Sequence, residues 1–316
     1  MNREQLVDDV REVLAKAGFY LSEKHYERGI SFDIIARRDN ILLIINVMVN
    51  ADSSRIENAK EIQILAKALN GSPLFISIKG GRRRLERGVI YSRRGIPVIS
   101  PETMDDMFLE GIPPYVFSAP GGFYVSIDSE ILRKARSEQS ISLGTLAEIA
   151  GVSRKAIQKY EDGMGADLDV ALRIEEFLGK SLIMPLNPFE YSKEEAEDLE
   201  MLDMKDDFKR SIFESLLTIG YDIVPTHHCP FEAITSDDDT VLLSGLVSKG
   251  NTDLKSKAKI VTNLSSVTEK RSVIFLDKRY KKTSIEGTPL ISHRELIYID
   301  SKSDILELLK ERTEKG

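Results

Sequence analysis

Apolar residues open the chain at helical spacing: Leu6, Val10, Val13, Leu14 and Ala17 share one face of 3–17, and Gly18 supplies the stop. Strand-like runs follow at 31–36 and 41–49. A second helical pattern covers Ser54 to Leu69, with strands at 74–78 and 97–99 and a short helix at 101–108. That order predicts a small α/β domain with a mixed sheet over residues 1–111. The segment 112–127, containing IPPYVFSAPGG, interrupts every period with proline and glycine and reads as a linker. Helical spacing returns over 128–184. Two prolines and a run of acids then mark 185–204 as an acidic linker, and 205–316 reads as a further α/β domain.

The last segment repeats the first. VREVLAKAGF at 10–19 parallels IFESLLTIGY at 212–221, FDIIARRDNILLIINV parallels FEAITSDDDTVLLSGLV, and GIPVIS at 95–100 parallels GTPLIS at 287–292. Three collinear matches predict duplicated α/β domains flanking an all-α middle domain, against the alternative of two unrelated units that share common strand patterns.

The middle domain carries the clearest chemistry. Ile131, Leu132 and Ala135 supply the inner face of a first helix. Ser142 caps a second, in which Leu146, the small Ala147 and Ile149 point inward, and Gly151 begins a three-residue turn that requires positive φ. Ser153 caps a third helix, RKAIQKYEDG, whose Ala156, Ile157 and Tyr160 face the core while Arg154, Lys155, Gln158 and Lys159 face outward. A helix whose first turn presents amides and cations to phosphate suits entry into the major groove. One turn further on, Gln and Arg have the reach and donor geometry to read adenine and guanine. The expected DNA-binding residues are therefore Ser142, Ser153, Arg154, Lys155, Gln158 and Lys159.

A second cationic stretch, KGGRRRLERGVIYSRRG at 79–95, sets seven cations against Glu86 alone. Arg82, Arg83, Arg84, Arg87, Arg93 and Arg94 are its candidate phosphate contacts, the alternative being a solvated loop that protects a sheet edge. His227, His228, Cys229 and His293 include metal-binding residue types, but adjacent histidines on an extended segment point to opposite faces, so no metal site is expected.

Composition adjusts this picture in two ways. The 316 residues are 41% hydrophobic and 30% charged, enough for two or three domains, and the net charge of -7 requires any nucleic-acid site to be local. The single cysteine fits a reducing compartment, and with no apolar run of membrane-spanning length a cytoplasmic protein is expected, with no membrane partner.

GVSRKAIQKYEDG, at 151–163, closely resembles the turn and recognition helix of the XRE or lambda-repressor-like helix-turn-helix family. The resemblance continues through ADLDVALRIEEFLG as the further helices of such a domain. Leu143 stands where many members have a glutamine that supports a phosphate contact, so that contact is not carried over. The first α/β segment resembles the restriction-endonuclease-like fold, whose nucleases pair a carboxylate on one strand with Glu-x-Lys on the next. Asp33 occupies the first place, but Asn46 and Met48 occupy the places of Glu and Lys, and in the repeat Glu232 is followed by LLSGLV. Loss of clustered carboxylates removes the metal chemistry of phosphodiester cleavage, so no catalytic residue and no cofactor are expected. Across nearly its whole length the chain resembles a family of archaeal HTH-type transcriptional regulators. That resemblance implies a sequence-specific regulator with double-stranded DNA as partner, expected to act as a homodimer. A structure-specific nuclease and a protein-interaction adaptor are the alternatives.

Overall fold

The computed structural model describes residues 2–24, 29–190, 206–248 and 254–314. In chain order, α1 (Arg3–Lys16), β1 (Tyr20–Leu21), β2 (Ile34–Arg38), β3 (Ile41–Asn50), α2 (Ile56–Leu69) and β4 (Ser72–Gly80) come first. β5 (Arg83–Arg84), β6 (Val89–Arg93), β7 (Ile96–Ile99) and α3 (Pro101–Asp105) follow, then the hairpin β8 (Val116–Ala119) and β9 (Gly122–Ile127). The middle region holds α4 (Ser129–Glu138), α5 (Leu143–Ala150), α6 (Arg154–Glu161), β10 (Ala166–Asp167), α7 (Leu168–Leu178) and β11 (Ile183–Met184). The last region holds α8 (Asp207–Ile219), β12 (Asp222–Pro225), β13 (Ala233–Ser236), β14 (Val241–Val247), α9 (Leu254–Thr268) and β15 (Arg271–Leu276), followed by β16 (Ser284–Ile285), β17 (Thr288–Ser292), α10 (His293–Leu296) and α11 (Lys302–Glu314).

These elements form two compact units. One comprises 1–13, 47–54 and 74–192, and the other 14–46, 55–73 and 193–316. In the first unit β4 pairs in parallel with β7, β7 antiparallel with β6, and β6 in parallel with β8. β8 turns back into β9, which also takes β10 and β11 as antiparallel neighbours. The stretch 112–127, expected as a linker, is thus a hairpin that carries strand pairing from the arginine-rich segment to the helical region. Val89 and Ile90 are buried in β6, a strand that the charge run around it concealed. The acidic stretch read as 185–204 lies mostly outside the described residues.

Local chemistry explains the helical region. Asp128, Ser142 and Ser153 each accept an amide hydrogen at the start of α4, α5 and α6, and Asp167 does the same for α7. Gly151 closes α5 at φ 70°, where a side chain would be strained. One core unites Leu132, Leu146, Ala147, Ile157, Tyr160 and Ile174 with Val125 and Ile127 of β9. Burial contributes roughly 1.5–3 kcal/mol for each of the leucine, isoleucine and valine side chains among these. Ile131, expected on the inner face of α4, is instead 41% exposed: Leu132 and Ala135 fill the interior, and the helix turns Ile131 away from it.

In the second unit β1, β2 and β3 form an antiparallel meander, and a separate sheet runs β12-β13-β14-β15-β17-β16, with β14, β15 and β17 parallel. α9 packs on β2 within this unit. Arg37 donates to the Val267 carbonyl at 2.9 Å and pairs with Glu269, while the Asn263 side chain accepts the Glu23 amide at 2.7 Å. Glu61 of α2 reciprocates by accepting the amides of His227 and His228, both at 2.8 Å.

Candidate nucleic-acid interface

α6 is held to its neighbours by its inner face and by charge. Ile157 and Tyr160 are buried, and Ala156 packs at the edge of the same core. Arg136 of α4 forms a two-point ion pair with Glu161, Nε to Oε1 at 2.6 Å and a second nitrogen to Oε2 at 3.1 Å. The side-chain hydrogen bond and attraction to Glu161 raise the Arg136 pKa against the opposing effect of burial. Arg133 adds a bond to the Glu161 carbonyl at 2.5 Å, and Arg173 of α7 donates to the Ala150 carbonyl at the end of α5. The sequence shows Glu161 only as an acid beside a cationic helix. Its burial against Arg136 lies 25 positions away in the chain, beyond the reach of local spacing.

The outer face is the opposite. Arg154, Lys155, Gln158 and Lys159 are all exposed, and among the described residues no carboxylate pairs with the three cations. Ser153 Oγ accepts the Ala156 amide at 3.1 Å, which leaves its hydroxyl hydrogen available to a phosphate oxygen. Ser142 Oγ accepts the Thr145 amide at 3.0 Å and lies 2.8 Å from the Thr145 hydroxyl. The amide ends of α5 and α6 therefore carry capping hydroxyls, and α6 adds three cations and one amide side chain, a combination suited to positioning on a backbone and reading base edges. Leu143 is half-buried against the core, so its side chain is committed to packing.

The six candidate arginines divide into two groups. Arg82 lies exposed on the β4–β5 turn and Arg83 and Arg84 lie exposed on β5 itself, and among the described residues none has a carboxylate partner. Arg87 instead grips Asp106 with two nitrogens, Nε to Oδ2 at 2.7 Å, and this hydrogen bond holds the Asp106 carboxyl below its ordinary range. Arg93 Nε donates to Asp52 at 2.6 Å, and Arg94 Nε to the Ser54 carbonyl at 3.2 Å.

The nuclease positions are occupied as follows. The Asp33 amide bonds to the Ile45 carbonyl, Asn46 donates to the Ser31 carbonyl at 2.7 Å, and Met48 is buried. In the last region Glu232 binds Lys257 Nζ at 2.5 Å and the Leu246 amide. Cys229 donates to Glu61 at 3.2 Å, and burial, reinforced by Glu61, pushes its thiol well up. His293 has other partners, 2.7 Å from Ser211 and edge-on to Phe208. No helix among the described residues is long and apolar enough to cross a membrane.

Residues 3–114 match the PD-(D/E)XK superfamily domain, and residues 132–183 match a helix-turn-helix domain. Full-length relatives carry the description "Putative HTH-type transcriptional regulatory protein". A protein of Methanosarcina acetivorans is 38% identical, covering 99% of this chain and 98% of its own length. One from Methanococcoides burtonii is 37% identical over 100% and 99%, and one from Natronomonas pharaonis 35% identical over 99% and 100%. No solved structure matches the chain.

Proposed function

The chain belongs to the archaeal family of HTH-type transcriptional regulatory proteins, and from that membership we propose that it reads duplex DNA sequence-specifically through α6. The observation that carries this reading is the outer face of α6. Its cations are unpaired while the acids nearest the helix end are drawn away, Glu161 inward to Arg136 and Asp162 toward Arg133 at 3.5 Å. Lys155 and Lys159 neutralise phosphates, and Arg154 and Gln158 reach base edges. The chain acts as a homodimer on two half-sites about one helical turn, roughly 34 Å, apart, because one small module makes too few base contacts for strong discrimination.

The α/β regions over 1–111 and 205–316 are copies of one ancestral domain flanking the reader at 128–184. Supporting this, β1-β2-β3 and β12-β13-β14 are both antiparallel meanders, and β7 and β17 each pair in parallel with the strand that follows the long helix, β4 or β15, and antiparallel with a further strand, β6 or β16. Asn70 and Glu269 take the same left-handed backbone after the long helix, and Ser100 and Ser292 cap the short one. Neither copy cleaves phosphodiesters: Asn46 and Met48 lack the charge to hold and activate a metal-bound water, and Glu232 is already neutralised by Lys257.

Selection of bound sequences from random duplexes by the purified full chain, with and without magnesium, tests the reading. A recurring motif with paired half-sites is expected in both conditions. An unenriched pool contradicts base reading. The match of 3–114 to the PD-(D/E)XK superfamily favours a nuclease as the second reading. Magnesium-dependent strand cleavage that Asp33→Ala abolishes would establish it.

A further inference from the structure

We propose that the last α/β region binds a small phosphoryl-bearing anion in a recess at the carboxyl edge of its sheet. Leu276 and Ser292 end the parallel strands β15 and β17 and are register partners, so they stand side by side at that edge. Open α/β sheets bind ligands outside the carboxyl ends of their parallel strands, because the loops leaving those ends diverge and leave a crevice. Here the crevice has a volume of about 420 Å³, within the range of small-ligand sites.

Its floor is fixed by a closed set of bonds. Glu295 accepts from the Ser292 amide at 2.9 Å and the Ser292 hydroxyl at 2.7 Å, and Arg312 donates to its other oxygen at 2.7 Å. Burial acts to raise the Glu295 pKa, but the bonds from Arg312 and Ser292 outweigh it and bring it to about 2, so this carboxylate is ionised and internally satisfied. Arg312 is only 8% exposed and also donates to the Leu290 carbonyl. Leu276 and Leu290 supply apolar wall.

The rim is not satisfied. Arg279, Lys281 and Lys282 line the same recess, and among the described residues none pairs with a carboxylate. The loop bearing them is anchored at both ends, by the Asp277 amide on the Val247 carbonyl and by the Thr283 carbonyl on the Leu290 amide. Three unpaired cations over a rigid polar floor favour an anion of more than one charge, and a planar guanidinium fork beside ammonium groups suits phosphoryl oxygens. A recess with an apolar wall fits a small molecule better than the convex backbone of a duplex.

The site is independent of α6, and its test contains no DNA, so its failure is distinguishable from failure of the DNA reading. Inorganic pyrophosphate is titrated calorimetrically into the full chain at constant ionic strength, with sodium chloride as the balancing salt. Saturable binding is expected, weakened at least tenfold in the Arg279→Ala/Lys282→Ala double variant and unchanged in Lys180→Ala, an exposed lysine outside both sites. The exchanged side chains are exposed, and an unaltered thermal melt of the double variant checks that the fold persists. Equal binding by wild type and double variant, or none by wild type, overturns the proposal. Loss of duplex affinity in the double variant with no pyrophosphate binding by the wild type would assign the rim to nucleic acid instead, and also overturns it.

Discussion

Helix α6 and the arginine-rich stretch at 82–94 are both dense in cations, yet they hold them differently. On α6 the apolar positions point into the core and the cations outward with no carboxylate opposite them. Along 82–94 the tip residues Arg82 to Arg84 are free of carboxylates, while Arg87 and Arg93 are spent on Asp106 and Asp52. The count of cations in a sequence therefore overstates the capacity to bind phosphate. What matters is which charges the fold has already neutralised.

The sharpest break of this contrast is to unseat α6 from beneath. Glu161→Ala leaves the Arg136 guanidinium without its partner in a largely buried position, which should cost about 3–5 kcal/mol. A lowered thermal midpoint accompanied by loss of DNA binding is expected, and an unchanged midpoint would show that the ion pair does not hold the helix. Next in size, Gln158→Ala should cost about 1–3 kcal/mol of discrimination on the selected site. The same change should leave affinity for random duplex nearly intact, whereas Lys155→Ala should weaken both equally, as competition assays can read.

A smaller effect belongs to the hairpin tip. Replacing Arg82, Arg83 and Arg84 together with alanine should flatten the dependence of log affinity on log salt by about one for each phosphate no longer neutralised, without altering the preferred sequence. If the slope does not move, these three arginines are solvated rather than bound. The smallest effect on DNA is expected for Arg87→Ala, which should leave affinity unchanged and instead return the Asp106 carboxyl toward its ordinary range, as followed by NMR titration. The sign follows from the depressed native value. The pairing stabilises the fold above the usual aspartate range and is lost as pH falls through the lowered pKa, so the variant should be less sensitive to acid there.

Much of α6 is readable from the chain because everything that defines it is local: the Ser153 cap, Gly151 with its positive φ, and Ile157 and Tyr160 three apart. The outward direction of Arg154 to Lys159 follows from the same period. The arginine stretch resists such reading because its partners are distant. Asp52 lies 41 positions before Arg93, and Asp106 lies 19 beyond Arg87, across two strands and a short helix. β6 and the β8–β9 hairpin are obscured for a related reason: Val89 and Ile90 are two buried residues between charge runs, and the prolines and glycines at 112–122 signal a turn without saying that strands flank it. Ile131 shows the limit on helices too, since the apolar pair Ile131 and Leu132 straddles the boundary of the buried face and only packing decides which turns in.

The most direct measurement places a photoactivatable crosslinker at residue 155 of α6, through Lys155→Cys in a Cys229→Ser background that leaves Gln158 in place to select the site, and maps the adducts on the selected duplex. Adducts within each half-site are expected from position 155, and few or none from the same group at Leu172 on α7, which is also exposed. Adducts confined to position 172, or adducts from 155 that scatter along the duplex regardless of sequence, would contradict the assignment of α6 as the element that reads DNA.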